Sequence, residues 1–308
     1  MQPKIFIDGE AGTTGLQIRE RLAGRDDLDL ISIDPNKRKD NDARADLLNS
    51  ADVAILCLPD DAARDAVGLV TNSNTVIIDA SSAHRTDSAW TYGFPEMAFG
   101  QRQAIAGSKR ISNPGCYPTG FIALVRPLVE AALIPADYPI TVNAVSGYSG
   151  GGKAMIAEYE AGGDAYRAYG LRQSHKHIPE MKYHSSLSNA PVFTPAVGNY
   201  AQGMIVEVPL PLWFLPSGAN RQDLVDALHA RYAEHGFVDV HTIDAADQIS
   251  GLDPEACNGT NKIDLFVFGS HEQARLIARF DNLGKGASGA AVQNLNLVLG
   301  KDEAAGLS

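Results

Sequence analysis

Cys116 lies in the run Asn113-Pro114-Gly115-Cys116-Tyr117-Pro118-Thr119. Apolar residues follow at Phe121, Ile122, Leu124, Val125, Leu128, Val129, Ala132 and Leu133. That spacing predicts an amphipathic helix. Pro118 suits its first turn, where a missing N–H costs nothing. Pro114-Gly115 makes the turn into it from a strand at Arg110-Ile111-Ser112. A cysteine at a helix N-terminus stands among unpaired N–H groups and the positive end of the helix dipole. Its pKa is lowered there, and the thiolate is the form that attacks a carbonyl carbon. Cys57, inside an apolar run at 54–58, reads as a core residue, and Cys257, near Pro254 and Gly259, as a loop residue. No two cysteines are spaced for zinc. The run His175-Lys176-His177-Ile178-Pro179-Glu180 offers two imidazoles that share a face of an extended segment. No third strong ligand clusters with them, so acid–base service to Cys116 fits better than a metal site.

The elements ahead of Cys116 follow a nucleotide-binding order. Lys4-Ile5-Phe6-Ile7-Asp8 reads as a buried strand, and Leu16, Ile18 and Leu22 start a helix. Between them Gly9, Gly12 and Gly15, with Thr13 and Thr14, form a G-x-x-G-x-x-G turn. Such a turn lets backbone approach a pyrophosphate that faces the helix N-terminus. Apolar runs at 28–33, 53–58 and 75–78, with a helical pattern at 60–70, continue the β/α alternation of a parallel sheet. The second strand ends at Asp34, where an acid commonly binds the ribose 2′-hydroxyl of NAD. Lys37-Arg38-Lys39 follows at once and suits a 2′-phosphate, hence NADP.

Beyond Cys116 a strand at 139–145 opens into Ser146-Gly147-Tyr148-Ser149-Gly150-Gly151-Gly152-Lys153. Gly147 to Lys153 fits the G-x-x-x-x-G-K pattern of a P-loop kinase, but Ala154 replaces the hydroxyl residue that would hold magnesium. A glycine-rich turn with a lysine equally suits another anion, such as an acyl phosphate. Alternating strands at 204–210, 263–267 and 275–280, with a helix through Leu224, Val225, Leu228 and Tyr232, read as an antiparallel sheet. A last glycine-rich turn, 282–289, leads into a helix that Ser288 could cap and could also meet the cofactor.

The chain has 308 residues, 44% hydrophobic and 20% charged, enough for two globular domains. A net charge of −11 argues against nucleic acid as a partner. No apolar run reaches the length of a membrane span, and no leader precedes the first strand. Three cysteines without such a leader point to free thiols in a reducing, cytoplasmic setting. The polar tail at 301–308 is expected to fray.

The chain resembles the N-acetyl-γ-glutamyl-phosphate reductase family. The likeness rests on the Asn113–Thr119 run, Val145-Ser146-Gly147-Tyr148-Ser149-Gly150, the 175–180 run and Asn282-Leu283-Gly284-Lys285-Gly286-Ala287-Ser288-Gly289, in that family's order. The resemblance implies an α/β fold. A Rossmann domain would comprise 1–115 plus 283–308, and an α+β catalytic and oligomerisation domain with a mostly antiparallel sheet would span 116–282. It implies NADPH-dependent reduction of N-acetyl-γ-glutamyl phosphate in arginine biosynthesis, by a homodimer or homotetramer. A related acyl phosphate such as aspartyl phosphate is the alternative substrate. Cys116 becomes the nucleophile and His177 the acid/base. Arg85, Ser146, Gly147, Tyr148, Lys153 and Glu180 fall to the substrate. Gly9, Gly12, Thr13, Thr14, Gly15, Lys37, Arg38, Ser81, Ser82, Asn282 and Gly284 fall to the cofactor. His84 departs from the family pattern, where an aromatic is common, and leaves open how the segment beside Arg85 packs.

Overall fold

The computed structural model describes residues 2–308. In chain order its elements are β1 (Lys4–Asp8), α1 (Thr13–Leu22), β2 (Asp29–Ile31), α2 (Asn41–Ser50), β3 (Val53–Leu56), α3 (Asp60–Gly68), β4 (Val76–Asp79), β5 (Thr91–Tyr92), α4 (Gln101–Ala106) and β6 (Arg110–Ser112). There follow α5 (Cys116–Glu130), β7 (Thr141–Gly147), α6 (Gly152–Glu160), β8 (Tyr166–Ala168), α7 (His177–His184), β9 (Val192–Gly198) and β10 (Met204–Pro211). The chain continues through α8 (Arg221–Tyr232), β11 (Val238–Val240), α9 (Ile243–Asp247), β12 (Ile263–Gly269) and β13 (Gln273–Phe280) to α10 (Gly289–Val298). No helix of the described residues is long and apolar enough to cross a membrane.

The chain forms two compact units. The first holds the stretch up to Pro95, Phe99–Gly115 and Ala287–Ser308; the second holds Glu96–Ala98 and Cys116–Gly286. The C-terminal return to the first unit thus begins at Ala287, not at 283, and three residues of the N-terminal stretch belong to the second unit.

The first unit is a parallel sheet in the order β2-β1-β3-β4-β6-β5. Its strands are apolar on both faces because helices cover both. Ile5 and Ile7 face Ile18, Leu22, Val292 and Leu295, while Phe6 faces Leu48 and Ala66. Strand order reverses between β1 and β3, and such a switch point opens a crevice at the carboxyl ends of the strands. The apolar pattern overstated one position: Leu16 is 46% exposed. The tail does not fray. Leu307 packs against the core, and Asn296 Nδ2 donates to the Glu303 and Ala305 carbonyls.

The second unit is a seven-stranded sheet in the order β11-β12-β13-β10-β7-β9-β8. It is antiparallel at β8–β9, β7–β10, β10–β13 and β12–β13, and parallel at β7–β9 and β11–β12. Helix α5 packs on β10 and β13 and against α7 and α8. It is not amphipathic: from Tyr117 to Leu128 every residue except Arg126 is buried. The helix ends at Glu130, and Ala132, at φ 55°, lies beyond it in a left-handed conformation. Pro127 inside the helix removes the N–H that would bond the Ala123 carbonyl. The Tyr232 hydroxyl donates to that carbonyl instead, at 2.8 Å.

Glu96 joins the second unit through a buried ion pair, its Oε1 2.7 Å from Lys285 Nζ. Both side chains are at most 1% exposed. Removing one partner of such a pair strands a charge and costs roughly 3–5 kcal/mol. Lys285→Met should therefore lower the urea midpoint sharply. The double variant Glu96→Leu/Lys285→Met should recover most of the loss. A double variant no more stable than the single would show that the pair is not the source.

Candidate active site

Cys116 is the first residue of α5 and is half-buried. Gly286 makes room for it: a Cβ built on Gly286 would lie 3.0 Å from Cys116 Cβ. The turn ahead of the cysteine is pinned within the first unit. Arg85 Nε donates to the Asn113 carbonyl at 2.9 Å, and Nη2 to the Ala80 carbonyl at 2.9 Å. Asn113 Nδ2 donates to the Ala287 carbonyl, and its Oδ1 accepts from Asn294 Nδ2. Arg85 is buried, and these two bonds tie the end of β4 to the segment after β6 within the first unit. His84 resolves the packing left open in the sequence. Its ring stacks on Trp90 at 4.1 Å, and its Nδ1 is 2.6 Å from Asp79 Oδ2.

Within the second unit a ring of phenols and imidazoles follows the cysteine. Tyr169 Oη donates to Tyr117 Oη at 3.1 Å, and Tyr117 Oη to the Ala196 carbonyl at 3.1 Å. Burial pushes the Tyr117 phenol well above its ordinary pKa, helped by Tyr169 and by negative charge on Cys116. Burial also raises Tyr169, and charge on Cys116 raises it further. Both phenols therefore stay protonated. Tyr117 and Tyr169 drew no notice in the sequence, because only the fold brings 117, 169 and 196 together.

The histidine segment is not extended. His177 begins α7, and its backbone N–H donates to His175 Nδ1 at 3.1 Å. Lys176 holds the N-cap position without a side-chain bond, and His175 Nδ1 accepts from the first N–H of α7, leaving its proton on Nε2. The two rings are 4.7 Å apart, and His177 is 5.9 Å from the Tyr117 ring. Burial, with Lys176 adding to it, lowers the His175 pKa to about 4. His175 is therefore neutral across the working pH range and cannot cycle a proton there. Its ordinary value is 6.5, so the unfolded chain binds more protons between pH 6.5 and about 4. Its contribution to stability is complete above that window and is lost as pH falls through it. His177 and Glu180 are both buried in the first turn of α7, three residues apart and so on one face. Pro179 occupies that same turn, where its missing N–H does no harm.

The glycine turn after β7 does not cradle phosphate in the P-loop manner. The Tyr148 and Ser149 N–H groups donate to the Tyr200 and Ala201 carbonyls at 3.0 Å each. Gly147 allows this lacing, since a Cβ there would lie 2.7 Å from the Ala201 carbonyl. Ser146 is buried and bonds the Gly147 carbonyl, Tyr148 stacks on Tyr159, and Lys153 stands exposed on the first turn of α6. Asn282 is a pin of this loop: Oδ1 accepts from the Gly203 N–H and Nδ2 donates to Ser149 Oγ. Gly284 is required because a Cβ would strike the Thr260 carbonyl at 2.3 Å. Both residues belong to the second unit, and packing there uses both. Ser288 holds the N-cap position of α10, but its side chain makes no cap bond. Its hydroxyl accepts from Arg21 and donates to Gln17.

The first unit carries the dinucleotide cradle. Gly9 has φ 91°, and a Cβ there would meet the Cys57 carbonyl at 2.3 Å; one on Gly15 would meet the Gly9 carbonyl at 2.4 Å. The loop therefore lies against the end of β3, at the switch point. Gly12 caps α1 without a side chain to occupy the N–H groups of Thr13 and Thr14. This geometry fits a pyrophosphate. Cys57 is half-buried just after β3 and packs against the core, and Cys257 lies buried in a turn. Ser81 Oγ donates to Asp79 and Ser82 Oγ to Asp60, so both hydroxyl protons hold turns. Asp34 accepts from the Asn36 N–H and caps a turn at Pro35–Lys37. Lys37 is exposed, whereas Arg38 reaches to 3.7 Å from Glu10. Arg19 and Ser32, not singled out in the sequence, join Glu10 as well.

Residues 14–107 match the family model for the semialdehyde dehydrogenase NAD binding domain, and 116–282 that for the semialdehyde dehydrogenase dimerisation domain. The solved structure of aspartate semialdehyde dehydrogenase II from Vibrio cholerae shares the fold, with a TM-score of 0.74 at 16% identity over 97% of this chain and 99% of that one. Fold and site thus define a semialdehyde dehydrogenase-type oxidoreductase with a nicotinamide dinucleotide domain. N-acetyl-gamma-glutamyl-phosphate reductase 2 from Nostoc sp. is 54% identical, with 99% of each chain covered. The N-acetyl-gamma-glutamyl-phosphate reductase from Burkholderia lata is 53% identical over 99% of this chain and 98% of that protein. The chain belongs to the N-acetyl-gamma-glutamyl-phosphate reductase family.

Iodoacetamide should label Cys116 ahead of Cys57 and Cys257, because burial pushes both of those thiols up to about 12. Peptide mapping that found either of them labelled first would remove Cys116 from its role. General acid–base help is worth about 10²–10⁴-fold, so His177→Asn should cut kcat by that order. His175→Asn, which keeps an acceptor for the first N–H of α7, should cost far less. Only the His177 variant should lose a limb of the pH–rate profile near neutrality. The larger loss at His175 would reverse the assignment.

Proposed function

We propose that the chain reduces N-acetyl-γ-glutamyl phosphate to N-acetyl-L-glutamate 5-semialdehyde with NADPH, releasing phosphate, as a step of arginine biosynthesis. One observation carries the chemistry: Cys116 is the half-buried first residue of the buried helix α5. The Cys116 sulfur attacks the acyl carbon, the C–O bond to phosphate breaks, and a thioester forms. A nicotinamide cofactor held by the loop of Gly9, Gly12 and Gly15 would supply the hydride for the thioester carbon. The C–S bond then breaks to give aldehyde, and the thiolate returns. His177 takes the thiol proton in the first step and gives a proton back when sulfur leaves. His175 holds the His177 backbone and stays neutral. Lys153 supplies positive charge for the departing phosphate, with Glu180, Ser146 and Tyr148 orienting the acyl arm.

The preference for NADPH rests on positive charge at the end of β2. The active assembly is a homodimer or homotetramer, in keeping with the dimerisation-domain match of the second unit. The test is a reverse assay with N-acetylglutamate semialdehyde, phosphate and NADP⁺ against the same assay with aspartate semialdehyde. A site that bonds the acetamido group should favour the first substrate by about 10²-fold or more in kcat/KM. Equal rates, or a preference for aspartate semialdehyde, would move the enzyme to the neighbouring reaction of the same fold.

A further inference from the structure

Four polar side chains of the first unit converge beside the dinucleotide loop. Arg19 Nη1 donates to Glu10 Oε2 at 2.5 Å and to Ser32 Oγ at 2.6 Å. Ser32 Oγ donates to the same carboxylate oxygen at 3.2 Å. Arg38 Nη2 lies 3.7 Å from the other oxygen, Oε1. Glu10 is only 13% exposed, while the two arginines keep 45% and 44% of their side-chain surface in solvent.

The location gives the cluster its meaning. Glu10 follows Gly9 in the loop at the switch point, and Ser32 follows the last residue of β2. In a dinucleotide fold, groups at the end of the second strand read the 2′ position of the adenosine ribose. Two guanidinium groups and a hydroxyl are the donor set a phosphate monoester takes. Here a carboxylate already holds that set, with hydrogen bonds on one oxygen and the second arginine near the other. Lys37 and Lys39, exposed like the two arginines, add screened charge nearby.

We infer that Glu10 is an internal stand-in for the 2′-phosphate: it keeps Arg19, Ser32 and Arg38 assembled, and it must yield them when a 2′-phosphorylated nucleotide binds. This rests on the NADPH reading above and deepens it, because Glu10 then sets how strongly the phosphate is preferred. A carboxylate left beside a phosphate repels it, so removing the charge strengthens 2′-phosphate binding. The same change leaves a nucleotide without that phosphate untouched.

Calorimetric titration of the full chain with 2′,5′-ADP and with 5′-ADP tests this without turnover. In Glu10→Gln the dissociation constant for 2′,5′-ADP should fall about tenfold, the order expected for removing one nearby like charge at a partly exposed site. That for 5′-ADP should stay unchanged, which also reports an intact fold. Arg19→Gln should weaken 2′,5′-ADP by about tenfold and spare 5′-ADP. Unchanged or weaker 2′,5′-ADP binding in Glu10→Gln would overturn the inference. So would loss of 5′-ADP binding, which would make Glu10 a ligand of the ribose hydroxyls. If wild type fails to distinguish the two nucleotides but Glu10→Gln does, the stand-in role holds and the NADPH preference falls. If neither distinguishes them, both fall.

Discussion

Helix α5 cannot shift, and the position of the Cys116 thiol follows from that. Eleven of its residues are buried, and their neighbours leave no slack. Gly120 lies so close to Phe280 that an added Cβ would be 2.6 Å from the ring. Interiors packed like crystals transmit such constraints along a helix axis. Pro127 should weaken the helix, yet the Tyr232 hydroxyl takes over the orphaned Ala123 carbonyl. The first residue of a helix held this firmly is a good place for a nucleophile. The helix terminus presents N–H dipoles to that residue.

The groups near that thiol divide into those that can change charge and those that cannot. Tyr117 and Tyr169 are held protonated by burial, and His175 is held neutral by burial. Each also spends a hydrogen bond on structure: Tyr169 on Tyr117, Tyr117 on the Ala196 carbonyl, and His175 on the α7 N-terminus. The bond from the His177 N–H to His175 Nδ1 gives the two imidazoles different structural places. This explains how two histidines two residues apart have different duties. One sets backbone geometry, and the other is set by it.

Much of this was legible in the sequence for a definite reason. A parallel sheet buried on both faces writes its strands as unbroken apolar runs, and glycine turns between such runs and helices mark the nucleotide loop. Cys116 was legible because Pro118 and the apolar spacing after it announce a helix start. Other features were hidden because they depend on partners distant in the chain. Lys285 reads as a surface cation until Glu96, 189 positions away, is brought to it. Full burial of α5 was hidden by its apolar spacing, which is the same for a helix covered on one side and for one covered on all. The extended reading of 175–177 failed because neither Lys176, at the N-cap, nor His175, whose ring accepts from the His177 N–H, announces a helix start as serine or aspartate does.

The two glycine turns show what a glycine pattern can and cannot say. Both follow a strand and precede a helix, and both need glycine where a Cβ would strike a backbone carbonyl. In the first unit Gly9 and Gly15 remove the Cβ atoms that would clash at the loop's crossing of β3, and Gly12 adds no side chain to the head of α1. In the second unit the N–H groups of Gly147, Tyr148 and Ser149 all donate to carbonyls of 200–203. Close backbone approach is common to the two; donors left over for an anion are not. A glycine-rich turn becomes a phosphate cradle only when its own fold leaves those N–H groups unspent, and that depends on residues far from the motif.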